Sequence, residues 1–312
     1  MKNLVFLVEP GRDFKRRVPS KRRRSNLFLK HFSNAAKKQG FKLYVACGDW
    51  INNGVIEQAW YYTDRWRKTR DIPISLGFVY FTTNKKTIYL LNKLSRELKL
   101  MNTIPLGKLT SDKVATYKII PKKNRIGYTV VNNKRELKKA LKLFSTKKIV
   151  IKPRYGIRGL GIKVVSKKRL PKRIHKDTLV QEFVNTKKGI LALGIKGFHD
   201  MRVLLINGKI DHCYLRIPQH SFLANCAKGA KKVYVNKKSL PKSVLEVINH
   251  IKKRTDQYDP SVFSVDFLFA DGETPKVVEL EGIPGFMYYA GHQDIRDNCF
   301  KKIFAAMKKS FN

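Results

Sequence analysis

The stretch IVIKPRYGIRGLGI, residues 149–162, is the most informative segment of the sequence. Its β-branched start predicts a strand, and Lys152 leaves that strand directly before a loop that contains Gly156, Gly159 and Gly161. Glycines allow backbone N–H groups to approach phosphate oxygens, and the lysine adds a point charge. The segment lacks the Gly-Lys-Ser/Thr ending of a Walker A loop and the βαβ unit of a dinucleotide fingerprint. It therefore predicts either a phosphate-binding loop or an ordinary glycine-rich hairpin.

Three carboxylates are predicted to meet on two neighbouring strands further along the chain. Asp266 lies in the apolar run 262–269, and Glu279 and Glu281 lie in the run 277–281. Side chains at positions i and i+2 share one face of a strand, and strand pairing places Asp266 beside them. Carboxylates among apolar neighbours are costly unless a cation neutralises them, and oxygen ligands suit Mg²⁺ or Mn²⁺ better than zinc. The alternative is a set of surface carboxylates paired with lysine and arginine.

The sequence between these two motifs predicts further contacts. The run LVQEFV, residues 179–184, predicts a strand. Arg202 lies at the start of another predicted strand, and Arg216 ends the partner of that strand. Arginines beside a phosphate and metal cluster would stabilise the charge of a phosphoryl group during transfer.

The N-terminal third alternates strand and helix signals, which predicts a parallel sheet. Strands are expected over residues 4–8, 41–46 and 77–81, with helices over 25–40 and 92–98.

The remainder of the chain predicts a mixed arrangement. Asn207-Gly208 suits a type I′ turn, so residues 201–217 predict a hairpin. Helices are expected over residues 112–120, 136–144 and 242–255. The predicted domains are residues 1–108, 109–185 and 186–312.

Composition limits the class of protein. With 312 residues, the chain is long enough for two domains, or for one domain with a built-in subdomain. It carries 66 lysines and arginines against 23 acidic residues, a net charge of +43. Apart from one dense cluster in residues 15–24, this charge is spread along the chain, which is typical of a solvated surface or of a surface that attracts polyanions.

Targeting and membrane segments are not predicted. The longest uncharged stretch, residues 72–84, is shorter than the ~20 residues of a membrane span, and the apolar run 4–8 is too short for a signal peptide. The four cysteines are scattered and include no C-x-x-C pair, so a reducing compartment and a cytoplasmic location are expected.

Taken in order, these motifs resemble those of the ATP-grasp superfamily, and most of all the branch with glutathione synthetase and the ribosomal-protein glutamate ligase. The resemblance covers residues 111–285. It implies an α/β fold of three parts: an N-terminal parallel-sheet domain, a small lid subdomain and a C-terminal mixed-sheet domain that carries a metal site.

The resemblance also implies how ATP is held. Lys152 resembles the lysine that contacts the ATP phosphates, and Lys113 resembles the earlier phosphate-contacting lysine, with Lys118 as the competing candidate. The loop from Gly156 through Gly159 to Gly161 resembles the flexible lid. The adenine-binding residues implied by the resemblance are Gln181, Glu182, Phe183 and Val184.

The remaining site residues implied by the resemblance concern metal ions and the reacting groups. Two Mg²⁺ ions, with Mn²⁺ as an alternative, are expected on Asp266, Glu279 and Glu281. The family usually has Asn at the last of these positions, so Glu281 is a departure that adds charge. The residues expected at the acceptor carboxylate or acyl-phosphate are Arg202, Arg216 and Asn225.

The function implied is an ATP-dependent ligase that joins a carboxylate to an amine or thiol through an acyl-phosphate and forms a peptide-type bond. The basic surface favours an acidic peptide, a carrier protein or tRNA as the partner. Dimers are common in that family, so a homodimer fits the resemblance. Two alternatives stay open: an ATP-grasp phosphotransferase, and a basic RNA-binding protein with a vestigial ATP site.

Overall fold

The computed structural model describes residues 1–156, 159–219, 229–286 and 291–311. These described residues form sheets of six, four, five and three strands, with helices packed against them. This mixed α/β architecture is the fold class that the sequence predicts.

The N-terminal region alternates strands and helices and then adds a β-rich insertion. Its elements are β1 (Lys2–Val8), α1 (Arg23–Lys38), β2 (Phe41–Cys47), β3 (Ile51–Asn52), β4 (Val55–Ile56), β5 (Ala59–Tyr62), β6 (Trp66–Thr69), β7 (Ile72–Pro73), β8 (Leu76–Val79), α2 (Ile88–Glu97) and β9 (Lys99–Met101).

The six-stranded sheet has the order β6-β5-β2-β1-β8-β9. β1 runs parallel to both β2 and β8, and β8 runs parallel to β9, so the predicted parallel sheet is present. The antiparallel strands β5 and β6 extend it at one edge. Strands β2, β5 and β6 are added on one side of β1, and β8 and β9 on the other side. Open α/β sheets often bind ligands at such a switch point, which here lies between β1 and β8.

The middle region forms an antiparallel four-stranded sheet of order β10-β13-β11-β12. β12 begins only at Lys163, because Gly159 and Gly161 have φ values of 70° and 75° and prolong the turn after β11. The elements are α3 (Ile104–Ser111), α4 (Lys113–Ile119), β10 (Tyr128–Val131), α5 (Lys134–Ala140), β11 (Lys148–Pro153), β12 (Lys163–Ser166) and β13 (Thr178–Glu182).

The C-terminal region forms an antiparallel five-stranded sheet of order β16-β15-β14-β17-β18. Asn207 and Gly208 join its β14–β15 hairpin with φ values of 46° and 64°, as the type I′ prediction requires. The elements are β14 (Asp200–Ile206), β15 (Lys209–Ile217), β16 (Lys231–Val235), α6 (Lys242–Thr255), β17 (Val262–Phe269), β18 (Pro275–Glu281) and α7 (Gln293–Phe311).

The C-terminal helix α7 joins the core of the N-terminal region. Phe32 of α1 packs against Phe300 and Phe304 of α7, with ring centroids 5.0 and 4.7 Å apart. All three side chains are fully buried. The two ends of the chain therefore share one hydrophobic core.

Asn102 ties the six-stranded sheet to the five-stranded sheet. Its side-chain amide donates to the carbonyls of Val262 and Gly282 at 3.0 and 3.1 Å, and its oxygen accepts from the Val262 amide at 2.7 Å. The end of β9 is thereby fixed beside the residue that follows β18. Among the described residues, no helix combines the length and the apolarity needed to cross a membrane.

Candidate active site

A cleft lies between the four-stranded sheet and the five-stranded sheet. Its empty volume is about 1130 Å³, part of which is open to solvent. The predicted site residues that line it are Lys113, Lys152, Gly156, Gly159, Gln181, Glu182, Phe183, Val184, Arg216, Asp266 and Glu279. Of the other predicted residues, Gly161, Arg202 and Glu281 do not line it, and Asn225 lies outside the described residues.

Two buried lysines lie at the floor of the cleft. Lys152 of β11 is 3% exposed, and burial lowers its pKa to about 8, although the nearby Glu279 carboxylate partly offsets this effect. Lys113, the first residue of α4, is 5% exposed, and its Nζ donates to the Gly156 carbonyl at 2.9 Å. The competing candidate Lys118 is exposed and does not line the cleft. The structure thus places Lys113 and Lys152, rather than Lys118, at the cleft.

The start of the glycine-rich loop is fixed to α4 by an ion pair. The Arg154 guanidinium donates to both oxygens of Asp112 at 2.8 and 2.6 Å, and Asp112 also caps α4 by accepting from the Val114 amide. This pair sets Lys113 next to the end of β11. A Cβ at Gly161 would lie 3.0 Å from the Pro153 side chain, so a glycine is needed there for space as well as for its φ of 75°.

The segment 181–184 forms one wall of the cleft, and hydrogen bonds to neighbouring elements fix its position. Gln181 donates to the Tyr117 hydroxyl, which in turn donates to the Val278 carbonyl at 2.8 Å. The Glu182 carboxylate accepts from the Ser145 amide at 3.2 Å. The buried His199 lines the cleft but was not predicted as a site residue, because nothing in the sequence distinguishes it from a core residue.

An alternating chain of charges occupies the five-stranded sheet. Arg202 of β14 lies directly opposite Asp266 of β17 and donates to both of its carboxylate oxygens at 2.7 and 2.6 Å. Arg216 of β15 donates to the same Asp266 carboxylate at 2.6 Å and to both oxygens of Asp200 at 2.7 and 2.5 Å. Asp200 lines the cleft but was not predicted as a site residue.

These ion pairs control the charge of both aspartates. Burial alone would raise the pKa of Asp266, but Arg202 and Arg216 outweigh it and lower that pKa. Asp200 has only Arg216 as a bonded cation, and burial raises its pKa to about 6. Asp266 is therefore a fixed carboxylate at neutral pH.

The two glutamates of β18 face different cavities. Glu279 lies directly opposite Asp266, lines the cleft, and has its carboxylate 3.9 Å from the Lys113 ammonium. Glu281 lines a second, smaller cavity with an empty volume of about 380 Å³. Burial, with a further contribution from the Glu279 charge, raises the pKa of Glu281 to about 7.

The carboxylates at the cleft fit a divalent cation by their chemistry. Asp266 and Glu279 bring hard oxygen donors to one place, which suits Mg²⁺ or Mn²⁺. Both oxygens of Asp266 already accept from guanidinium groups, so metal binding there requires these hydrogen bonds to rearrange.

The fold and this cleft define a class of protein. Lys152 and a glycine-rich loop of one sheet, together with Lys113 at the start of α4, face carboxylates of another sheet, an arrangement typical of nucleotide-binding proteins. The chain belongs to the ATP-grasp family, since the model of the ATP-grasp domain matches residues 110–281, more than half of the sequence. The resemblance stated from the motifs is therefore confirmed.

Solved structures share the fold at low sequence identity. An RiPP-associated ATP-grasp ligase from Chryseobacterium gregarium, in complex with ADP and a leader and core peptide, is 14% identical with a TM-score of 0.63, and the match covers 99% of this chain and 97% of that chain. A D-alanine–D-alanine ligase from Bacillus anthracis, complexed with ATP, is 12% identical with a TM-score of 0.59. The match covers 100% of this chain and 98% of that chain.

A RimK domain ATP-grasp protein from Sphaerobacter thermophilus is 10% identical with a TM-score of 0.59, covering 97% of this chain and 98% of that chain. At these identities the similarity shows the fold. No curated protein sequence matches the chain significantly.

Proposed function

We propose that the protein is an ATP-dependent ligase that joins a carboxylate to an amine, or to a thiol, and releases ADP and phosphate. One observation carries this proposal: two buried lysines, Lys113 and Lys152, face two carboxylates, Asp266 and Glu279, across one cleft. A phosphate chain together with a divalent cation is complementary to both groups, because the phosphates pair with the lysines and the cation with the carboxylates.

The nucleotide lies along the wall formed by β11 and β13. Adenine contacts the segment 181–184, and the glycine-rich loop covers the phosphates. Lys152 is fixed within a strand and is almost fully buried, so its electrostatic attraction for a phosphate is stronger there than it would be in water. The geometry therefore favours ATP with its phosphates next to Lys113 and Lys152.

The five-stranded sheet supplies the groups for phosphoryl transfer. Asp266 and Glu279 would hold Mg²⁺, two ions by analogy with the family, and bound Mg²⁺ neutralises the charge that develops on the transferred phosphoryl group. Arg216 lines the cleft and is fixed by Asp200, so its guanidinium is positioned to hold the acyl-phosphate. Arg202 lies behind Asp266 and orients it.

The reaction balances in two steps. A carboxylate oxygen of the first substrate attacks the γ-phosphorus of ATP, and the bond to the bridging oxygen breaks, which gives an acyl-phosphate and ADP. The lone pair of an amine then attacks the acyl carbon, phosphate leaves with the C–O bonding electrons, and the amine loses a proton to give an amide. The covered cleft protects the acyl-phosphate from water.

An acidic peptide, carrier protein or amino acid is the proposed carboxylate substrate. The net charge of +43 favours an acidic macromolecule over a basic one. The similar structure from Chryseobacterium gregarium contains a leader and core peptide, which supports a peptide in this role.

We place the enzyme in a reducing compartment such as the cytoplasm. Cys47 and Cys213 are buried cysteines outside any disulfide. Burial raises the pKa of Cys47 to about 11 and that of Cys213 to about 12, so neither thiol is reactive at neutral pH.

Donor-dependent release of ADP and phosphate from Mg-ATP tests the proposal. Amino acids, acidic peptides and carrier proteins are supplied in pools, with hydroxylamine present to trap an acyl-phosphate as a hydroxamate. We expect hydroxamate and ADP in equal amounts from the wild type, and a loss of at least about 100-fold in Glu279→Ala.

Glu273→Ala is the matched control, because Glu273 is exposed in the turn of the same β17–β18 hairpin. It should keep wild-type turnover. Phosphate that stays on the donor without hydroxamate would identify a phosphotransferase instead, and wild-type turnover by Glu279→Ala would contradict the site.

A further inference from the structure

The connection from β1 into α1 carries a dense group of cations that the cleft does not use. Seven of the ten residues 15–24 are lysine or arginine, and none is acidic. Across the described residues, the half-buried Arg16 pairs with Asp13 at 3.7 Å, whereas the exposed cations of this segment form no ion pair. The exposed cations are Lys15, Arg17, Lys21, Arg22, Arg23 and Arg24.

The backbone of this segment is fixed to the N-terminal region. The Trp60 ring N–H donates to the Arg16 carbonyl at 3.1 Å, and the Phe14 ring packs 5.3 Å from the Trp60 ring. The Asn26 side chain accepts from the Ser20 amide at 3.0 Å and donates to the Ser20 carbonyl at 2.8 Å. The cations are therefore held on an ordered backbone, which lowers the entropy cost of binding a partner.

Strand β6 adds two more exposed cations to this surface. Lys68 and Arg70 lie over the Phe14 ring at 5.0 and 6.0 Å, and the Lys68 ammonium donates to the Lys15 carbonyl at 2.9 Å. Residues 15–24 together with Lys68 and Arg70 are called the basic patch below. Like charges repel one another, and α1 has no acidic residue in its first turn, where the helix dipole disfavours cations. A bound polyanion would offset both effects.

The basic patch lies at the edge of the sheet that meets the active-site region. β1, β8 and β9 are parallel, so their carboxyl ends share one edge, and the patch follows β1 at that edge. There the Tyr80 hydroxyl donates to the Pro284 carbonyl at 3.0 Å, and Phe28 of α1 stacks on Phe286 at 5.8 Å. Pro284 and Phe286 come shortly after β18, the strand that carries Glu279. An extended chain on the patch therefore has a short path to the cleft.

The chemistry of the patch favours a peptide over a nucleic acid. Surfaces for single-stranded nucleic acids combine cations with exposed aromatic rings on which bases stack. Here Trp60 is fully buried, Trp50 is 8% exposed, and Phe14 is covered by two cations. These rings support the segment from within, and its cations are left to pair with carboxylates.

From these observations we propose that the basic patch binds an acidic segment of the peptide substrate, outside the residue that reacts. The inference rests on the proposed ligase function and deepens it, because it specifies a peptide with several aspartates or glutamates next to its reacting carboxylate. The cations of the patch position this peptide and do not touch the reacting atoms.

Binding of a rhodamine-labelled peptide of six glutamates, followed by fluorescence anisotropy at 0.15 M salt, tests the patch. The variant carries Arg22→Gln, Arg23→Gln and Arg24→Gln. Its dissociation constant for the peptide should be about tenfold higher than that of the wild type. The variant should unfold at no lower urea concentration than the wild type, because it removes cations from the start of a helix.

The matched control removes the same amount of charge elsewhere. It carries Lys238→Gln, Lys242→Gln and Lys253→Gln, which are exposed residues of α6 and of the turn before it. α6 packs on the face of the five-stranded sheet that points away from the cleft. At 0.15 M salt, charges are screened over about 8 Å, so the control should change the dissociation constant less than about twofold.

Three outcomes would overturn the proposal. Equal losses of affinity in the two triple variants would mean that the overall charge, and not the patch, attracts the peptide. A wild type that binds a peptide of six glutamines as well as the peptide of six glutamates would contradict recognition of acidic groups. Tighter binding of an oligonucleotide of six uridines, lost in the arginine variant, would assign the patch to nucleic acid.

Turnover separates this proposal from the ligase function. In the hydroxamate assay with an acidic peptide as donor, the arginine variant should raise the KM for that peptide and leave kcat unchanged. A wild type that forms no hydroxamate with any donor would contradict the ligase function. Hydroxamate formation with the same KM and the same dissociation constant in the arginine variant would contradict the patch alone.

Discussion

The four-stranded sheet and the five-stranded sheet face the same cleft but are packed differently. β11 and β12 of the four-stranded sheet rest on a small hydrophobic cluster around Leu137, Ile149 and Val180, whereas Leu179 of β13 packs into the cluster beneath the five-stranded sheet. The five-stranded sheet rests on a much larger cluster that includes Phe263, Phe267 and most of the apolar face of α6. Local opening costs less where fewer apolar side chains are buried, so we expect β11 and β12 to open more readily than the strands of the five-stranded sheet.

The same two walls also differ in how their charges are paired. On the five-stranded sheet, Asp200, Arg216, Asp266 and Arg202 neutralise one another. On the four-stranded sheet, Lys152 is buried with no salt bridge to any described residue, and its lowered pKa reflects that burial. One wall is therefore preorganised by itself, whereas the other requires an anionic ligand to complete its charge.

The largest expected effect comes from removing the unpaired charge. Lys152→Ala should lower ADP release by at least about 100-fold, because the phosphates lose a desolvated cation. Lys138→Ala is the control, since Lys138 is an exposed lysine of α5 that does not line the cleft. Equal losses in the two variants would contradict the assignment of Lys152.

Removing one positive charge from each wall should change the free energy of unfolding in opposite directions. Arg202→Met leaves Asp266 buried with one cation fewer, so the free energy of unfolding should fall by about 3 kcal/mol. Lys152→Met removes a buried charge without a salt-bridge partner, so the free energy of unfolding at pH 7 should rise by something on the order of 1–3 kcal/mol. Urea denaturation of both variants measures these two changes in the free energy of unfolding. A stability loss in Lys152→Met would contradict the unpaired state of that lysine.

The pH dependence of nucleotide binding follows from the pKa of Lys152, which is about 8 in the free protein. Below that pKa the side chain is charged and attracts phosphate, and above it the charge is lost. The affinity for Mg-ADP should therefore fall as pH rises through 8, by about tenfold between pH 7 and pH 9. Lys152→Arg should remove this dependence, because arginine stays charged across that range.

The smallest expected effect concerns mobility. Amide hydrogen exchange should be faster in β11 and β12 than in β14 and β17, because the former rest on the smaller apolar cluster. Mg-ADP should slow exchange mainly in β11 and in the glycine-rich loop. Equal exchange in the two sheets without nucleotide would remove the contrast between them.

Much of this architecture could be predicted because it depends on local patterns. The Asn207-Gly208 turn, the β11–β12 hairpin and helix α6 each have a strong short-range signal, and all are present. The opposition of Asp266 and Glu279 also follows from strand periodicity and one short turn.

Contacts between distant segments could not be predicted in this way. The packing of α7 on α1 joins the two ends of the chain, and no local pattern encodes that pairing. Strand periodicity places Glu279 and Glu281 on one face but does not reveal that the N-terminal sheet closes a second cavity around Glu281. The ion pairs of Asp266 with two arginines likewise depend on strand order in the sheet.

A crystal structure of the protein with Mg-ADP is the measurement that tests the central claim most directly. We expect adenine against residues 181–184, the phosphates within hydrogen-bond distance of Lys113 and Lys152, and the metal ion on Glu279 and Asp266. A nucleotide bound outside this cleft, or no bound nucleotide at saturating Mg-ADP, would contradict the account.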